Sequence, residues 1–253
     1  MPRSVFGGRH ELGQNLLVHA PTINRITRLV ARTEGAILEI GAGDGALTRS
    51  LATLDRGLTA IDIDEHRVRR LRSALPRVEV RHADALRYPL RHPVLVGNVP
   101  FHLTTPILRR ILATNGWEHA FLLTQWEVAR KRAGVGGRTM MTAQTAPWFS
   151  FTLHDRVPSW AFAPRPSVDG GLLHIRRRHQ SLIPMSDRSP YSRFVKAAFT
   201  GRGDSLERIL QNAKGVDRAR ARRALCEAGV DARRLPRDLT AEQWAALWRG
   251  LKR

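Results

Sequence analysis

Cysteine is nearly absent from this chain of 253 residues, with Cys226 standing alone. One thiol makes no internal disulfide and no cysteine-rich metal site, which fits a reducing compartment. No metal site is expected. No stretch approaches the ~18 consecutive apolar residues that a membrane span needs, and the first residues carry no signal-peptide core. A cytoplasmic location without membrane contact is therefore expected. Acidic residues are also scarce, with 22 Asp and Glu against 42 Lys and Arg, a formal net charge of +20. Such an excess repels itself in a compact state and points to an anionic partner. Lysine is rare beside arginine, a bias that fits a GC-rich genome as well as function. The charge implies a nucleic acid without selecting one, because phosphate contacts carry little sequence information.

The length allows one sizeable core and a small second module. From about residue 36 to 176, short apolar runs alternate with longer amphipathic ones. The runs at 36–40, 58–62, 78–80, 94–96 and 120–124 read as strands, with helices expected over 65–75 and 105–112. Strands alternating with helices predict an α/β fold with a parallel, doubly wound sheet. After Arg176–Arg178 the character changes. Residues 181–190, with two prolines, read as a linker. Helices follow over 191–199, 204–210, 217–228 and 240–251, where Asp204/Glu207 and Thr240/Gln243 have capping-box spacing. Trp244, Leu247, Trp248 and Leu251 fall at i, i+3, i+4 and i+7, so one stripe of the last helix packs inward. The expected division is an α/β domain over 1–178 and an all-α domain over 179–253. Neither repeats nor low-complexity tracts are present.

Glu39-Ile-Gly-Ala-Gly-Asp-Gly45 closes the first strand and opens a helix near Ala46. Glycines there let backbone approach a ligand at the carboxyl edge of the sheet, where nucleotides bind in open α/β folds. Gly41, Gly43 and Ala46 also satisfy a dinucleotide fingerprint, so a nicotinamide oxidoreductase is a rival reading. Asp44 and Glu39 oppose it, since a pyrophosphate wants positive potential. A sulfonium cofactor with an ammonium group has the opposite preference. Asp62, closing the second strand, can accept hydrogen bonds from both ribose hydroxyls, a role open to either cofactor. Asp84, ending the third strand, can take the amino group of a cofactor adenine.

Asn98-Val-Pro-Phe101 ends the fourth strand. The exocyclic amine of adenine is a poor nucleophile because its lone pair is delocalised into the ring. The Asn98 side-chain oxygen and a backbone carbonyl in the Val99–Pro100 turn can accept its two hydrogens and free the lone pair toward a sulfonium methyl. Pro100 stiffens the turn, and preorganised geometry can supply roughly 7–11 kcal/mol of a barrier. Phe101 offers a stacking face worth about 1–3 kcal/mol per base, once the base has been unstacked.

With these motifs assembled, the sequence resembles the erythromycin-resistance (Erm) family of 23S rRNA adenine-N6 methyltransferases over nearly its whole length. The resemblance implies a Rossmann-like class I fold that uses S-adenosyl-L-methionine and acts on 23S rRNA, conferring macrolide-lincosamide-streptogramin B resistance. A monomer acting before full ribosome assembly is expected. Gly13-Gln-Asn-Leu-Leu17 is similar to the family's N-terminal cofactor motif, which implies that Gln14, Asn15 and Leu17 lie near the methionine moiety. The cofactor set it implies also includes Glu39, Gly41, Gly43, Asp62, Ile63, Asp84, Ala85 and Asn98. Phe162-Ala-Pro-Arg-Pro-Ser-Val-Asp169 resembles the late motif, implying that Phe162 sandwiches the flipped adenine opposite Phe101; Asn98, Pro100, Phe101 and Phe162 then form the catalytic set. The sister family acting on small-subunit rRNA shares most of these motifs and is the alternative. Leu123-Thr-Gln125, Ala129–Arg132, Phe199–Leu206 and Glu242-Gln-Trp244 resemble actinomycete Erm sequences and favour the large subunit. Three departures stand out: Phe101 where Tyr is commoner, Asp62 where Glu is usual, and Gly170-Gly171 in place of a Ser-containing pair.

Basic stretches at 67–72, 176–178 and 218–223, with Arg3 and Arg9, are candidates for phosphate contact. A noncatalytic RNA-binding relative is a further rival, opposed by the intact Asn98, Pro100 and Phe101.

Overall fold

The computed structural model describes residues 15–252. In chain order its elements begin with β1 (Leu16–Leu17), α1 (Ala20–Val30), β2 (Ile37–Ile40), α2 (Ala46–Ala52), β3 (Leu58–Asp62), α3 (Glu65–Ala74) and β4 (Glu79–His82). Then come β5 (Val94–Asn98), α4 (Thr104–Ala113), β6 (His119–Gln125), α5 (Trp126–Arg132), α6 (Met140–Thr145), β7 (Phe149–Val157), β8 (Phe162–Ala163) and β9 (Gly170–Arg177). The chain closes with α7 (Arg188–Thr200), α8 (Leu206–Lys214), α9 (Arg218–Glu227) and α10 (Ala241–Lys252). Gln14, Arg3 and Arg9 lie outside the described residues.

A seven-stranded sheet runs in the order β4-β3-β2-β5-β6-β9-β7. β2 pairs in parallel with both β3 and β5, and β5 pairs in parallel with β6. The chain steps outward from β2 to β4 on one side and resumes at β5 on the other. That reversal opens a crevice at the carboxyl ends of β2 and β5, the place where open α/β sheets bind ligands. All four residues of β2 and the first four of β5 are buried, as strands covered on both faces must be. Gly97 permits the close approach of these two strands, because a Cβ there would lie 2.7 Å from the Ile40 carbonyl. A separate two-stranded ribbon pairs β1 antiparallel with β8, setting Leu17 opposite Phe162.

By its internal contacts the chain forms two compact units. Among the described residues, one comprises 15–129 and 153–175, and the other 130–152 and 176–252. The division thus falls at 175/176 rather than 178, and 130–152 groups with the C-terminal helices. The reason lies in α6, where Tyr191 donates its hydroxyl hydrogen to the Ala143 carbonyl at 2.8 Å and Gln144 Nε2 donates to Ser192 O at 3.0 Å.

In the second unit the expected stripe is the core, since Trp244, Leu247, Trp248 and Leu251 are all buried. Phe194 meets Trp244 edge-on at 5.8 Å, and Tyr191 meets Trp248 likewise at 5.8 Å. Fully burying one large apolar side chain stabilises by about 1.5–3 kcal/mol. The segment 181–190 is not a free linker. Ile183 is buried, and Asp187 accepts from Trp248 Nε1 at 2.8 Å and Lys252 Nζ at 2.6 Å. Pro190 sits in the first turn of α7, where its missing N–H costs nothing. Thr240 and Gln243 form the expected reciprocal cap of α10. For α8 the cap is Ser205, not Asp204, its hydroxyl accepting from Arg208 N.

Candidate active site

The crevice at the ends of β2 and β5 is walled by Asn15, Leu16, Gly41, Gly43, Asp62 and the run Asn98–Phe101. A second recess shares Leu16, Gly41 and Asn98 and extends to Leu17, Glu39 and Asp44. Most residues singled out from the sequence therefore meet in one place. Ile63, Asp84, Ala85 and Phe162 do not line it. Asp84 caps its own loop instead, accepting from Leu86 N at 2.7 Å, with Arg87 Nε at 3.8 Å from its other oxygen.

The glycine loop is organised by Asp62. This aspartate is buried, and it accepts from Gly43 N at 2.7 Å through one oxygen and from Asp64 N at 2.8 Å through the other. Burial raises its pKa, and the two backbone N–H groups pull it back. Gly43 has a positive φ of 55°, and a Cβ there would fall 2.7 Å from Leu16 Cδ2. The positive φ is what favours glycine here, since the tip of Leu16 can shift aside. Leu16 was not singled out in the sequence. The alternation within β1, which buries Leu17 and turns Leu16 to the cleft, is the signal that could have found it.

Glu39 is 1% exposed, and its Oε2 has no hydrogen-bond partner among the described residues. Burial pushes its pKa up to about 8, and the neighbouring Asp62 adds to the rise. A buried carboxyl group with an unmatched oxygen suits a cationic ligand group and disfavours a phosphate. Asp44 argues less strongly, since it is half-exposed and Arg67 Nη1 lies 3.9 Å away. The donor set, an orphaned carboxyl beside a carboxylate-braced glycine loop, fits a nucleoside that carries an ammonium group.

At the end of β5, Asn98 Nδ2 donates to the Asn15 carbonyl at 2.6 Å. The amide is thereby oriented, and its Oδ1 is left without a partner among the described residues. The Pro100 carbonyl accepts from Leu103 N at 2.9 Å, whereas Val99 O has no donor among the described residues. Of the two carbonyls in the turn, Val99's is the one free to act with Asn98 Oδ1.

Phe101 and Phe162 do come together, but not as a sandwich. Their centroids are 6.3 Å apart and their planes are inclined by 72°. Phe162 is 3% exposed and fixed over Gly170, where a Cβ would lie 2.9 Å from its Cζ. Phe101 is the more exposed ring.

Part of the basic helix α3 is spent within the chain. Arg67 lies 3.4 Å from Asp64, Arg69 pairs with Glu65, and Arg72 Nε donates to Val80 O. In α9, Arg218 and Arg222 both pair with Glu207. Among the described residues, no helix is long and apolar enough to cross a membrane.

Residues 5–251 match the family described as ribosomal RNA adenine dimethylase. A mycinamicin-resistance protein of Micromonospora griseorubida is 49% identical over 251 residues, covering 96% of this chain and 79% of its own. An rRNA adenine N-6-methyltransferase of Corynebacterium diphtheriae is 49% identical over 213 residues, covering 82% of this chain and 84% of its own. Among solved structures, the 23S rRNA methyltransferase ErmE superposes with a TM-score of 0.85 at 33% identity, covering 94% of this chain and 100% of that one.

Proposed function

The chain belongs to the ribosomal RNA adenine dimethylase family, and on that premise we propose that it methylates the exocyclic N6 of an adenine in 23S rRNA, using S-adenosylmethionine. Likeness to a mycinamicin-resistance protein and to a 23S rRNA methyltransferase supports the large subunit as target and macrolide-type resistance as the consequence. A methylated N6 loses an N–H and gains bulk, both unfavourable to a drug seated against that base. The reaction belongs in the cytoplasm, on RNA not yet buried in a finished subunit.

The observation that carries this reading is the pairing of two unspent oxygens, Asn98 Oδ1 and Val99 O, beside the Phe101 ring. S-adenosylmethionine, when bound, supplies an electrophilic methyl on a sulfonium. Glu39 would hold its amino group, Asp62 its ribose, and the Gly41–Gly43 backbone would lie against it. Asn98 Oδ1 and Val99 O accept the two N6 hydrogens, which disfavours the planar amine and directs its lone pair. Neither oxygen acts as a base. The N6 proton becomes acidic as the new bond forms and passes to water. Phe101 stacks on the purine and keeps it extruded from its RNA. Gln14, Ile63, Asp84 and Ala85 are kept as outlying members of the cofactor set.

The test is to incubate the purified protein with methyl-labelled S-adenosylmethionine and, in separate reactions, 23S and 16S rRNA, then identify the modified nucleoside by mass spectrometry. The expected product is N6-methylated adenosine in 23S rRNA. Label confined to 16S rRNA, or no labelled RNA, would overturn the reading.

A further inference from the structure

We infer that a second nucleotide subsite, built on Trp126, Arg156 and Asp169, holds the nucleotide adjoining the target adenine; the inference rests on the rRNA-methyltransferase reading above. A cavity of about 530 Å³ is walled by Gln125, Trp126, Arg156 and Asp169 among others. That volume lies within the range of small-ligand pockets, ~300–1,000 Å³.

The cavity lies along the sheet edge from the methylation cleft. Asn98 and Leu123 are register partners on β5 and β6, and Gln125 lies two residues further along β6. Two strand residues span about 7 Å. The opposite wall, Ser167 to Asp169, belongs to the segment that follows Phe162. An RNA whose adenine lies over Asn98 and Phe101 therefore brings its next nucleotide to this recess.

Its chemistry suits that occupant. Arg156 Cζ stands 5.3 Å from the centre of the Trp126 ring, and Arg156 Nε donates to Asp169 Oδ2 at 2.8 Å. Carboxylate and indole thus fix the guanidinium plane, while its two η nitrogens have no partner among the described residues. A plane held this way stacks on a base and offers a fork to the adjoining phosphate. The Gln125 side chain, also unpartnered among the described residues, can read a base edge with a donor and an acceptor.

Asp169 is the positioning residue of the subsite. Its Oδ1 accepts from Ser159 N at 2.8 Å, in the turn that leads into Phe162, and its carbonyl accepts from Trp126 N at 2.8 Å. The departure at Gly171 acquires a physical reason here. A Cβ at Gly171 would lie 2.6 Å from Ala129 Cβ and 3.3 Å from Trp126 Cε3, so glycine lets the first turn of α5 rest on β9.

The test uses a synthetic hairpin from the 23S region found by labelling, with counterparts carrying an abasic ribose either 5′ or 3′ of the target adenine. Affinity is read by fluorescence anisotropy without cofactor, and kcat and KM by methylation. The wild-type protein should bind one abasic hairpin about tenfold more weakly than the intact one, the size expected for a lost stacked base. Arg156→Ala and Trp126→Ala should bind the intact hairpin with a similar loss and cease to distinguish it from the abasic one, the cost falling on KM rather than kcat. Arg156→Lys, which keeps the charge without the plane, should not restore discrimination. Arg156 is exposed, so its alanine variant decides the matter even where Trp126→Ala fails to fold. The subsite is refuted where wild type treats the three hairpins alike, or where Arg156→Ala still discriminates. Binding of the intact hairpin without any methylation by wild type would instead refute the methyltransferase reading, and the subsite with it.

Discussion

The Phe101 and Phe162 rings meet edge to face, their centroids 6.3 Å apart and their planes inclined by 72°. Inclined rings leave no slot for a purine, so a base enters only when one of them turns. Phe162 is buried against Gly170, which makes Phe101 the ring that moves. Phe101→Ala should therefore leave thermal stability nearly unchanged and cut methylation roughly tenfold to a hundredfold, the value of one stacked base. Phe162→Ala should also unfold at a lower temperature, since truncating a buried Phe costs about 3–5 kcal/mol. Thermal unfolding and methylation assays on the pair separate the two roles.

Glu39 gives cofactor affinity a pH dependence of definite sign. Its carboxyl titrates near 4.5 in the unfolded chain and near 8 when folded and ligand-free. Between those values the folded state binds the extra proton, so the stability of the ligand-free protein falls as pH rises through that window. A bound ammonium favours the carboxylate and expels the proton. Affinity for S-adenosylmethionine should then climb as pH rises toward about 8, by at most about tenfold per unit, and fall again as the ligand's own α-ammonium loses its proton, such groups titrating at about 8. Calorimetry in buffers of different ionisation enthalpy should detect the released proton. Glu39→Gln should remove both the release and the slope.

Asp62 serves two backbone N–H groups with its two oxygens. Asp62→Asn offers only one acceptor oxygen and strands either Gly43 N or Asp64 N. An unsatisfied buried N–H costs about 1–3 kcal/mol. The expected result is a lower melting temperature and at least about tenfold weaker cofactor binding by calorimetry, with RNA affinity unchanged.

The parallel half of the fold was legible because its strands are buried on both faces and read as continuous apolar runs, as at 36–40 and 94–96. The strands β7 and β9 were not. Residues 150–156 of β7 are not buried, and the stretch mixes His154, Asp155 and Arg156 into the pattern, so neither periodicity stands out. The linker reading of 181–190 failed because two prolines masked the buried Ile183 and Asp187, and the side-chain partners of Asp187 lie 61 and 65 residues away. Within the cleft, residues tied to a strand end or to the glycine turn fell where spacing put them. Asp84 also follows its strand, β4, with one oxygen taken by its own loop. The link from Asn98 to Asn15 spans 83 positions and has no local signature.

Asn98→Ala tests the central claim most directly. It removes one of the two oxygens proposed to shape the N6 amine and leaves the aromatic pair and the glycine loop in place. Single-turnover methylation of 23S rRNA, measured alongside RNA and S-adenosylmethionine affinity, should show both affinities near wild type and a methyl-transfer rate reduced by about a hundredfold or more, as for the loss of a preorganised polar group at a reacting centre. A variant that binds both ligands and still transfers methyl at the wild-type rate would contradict the account.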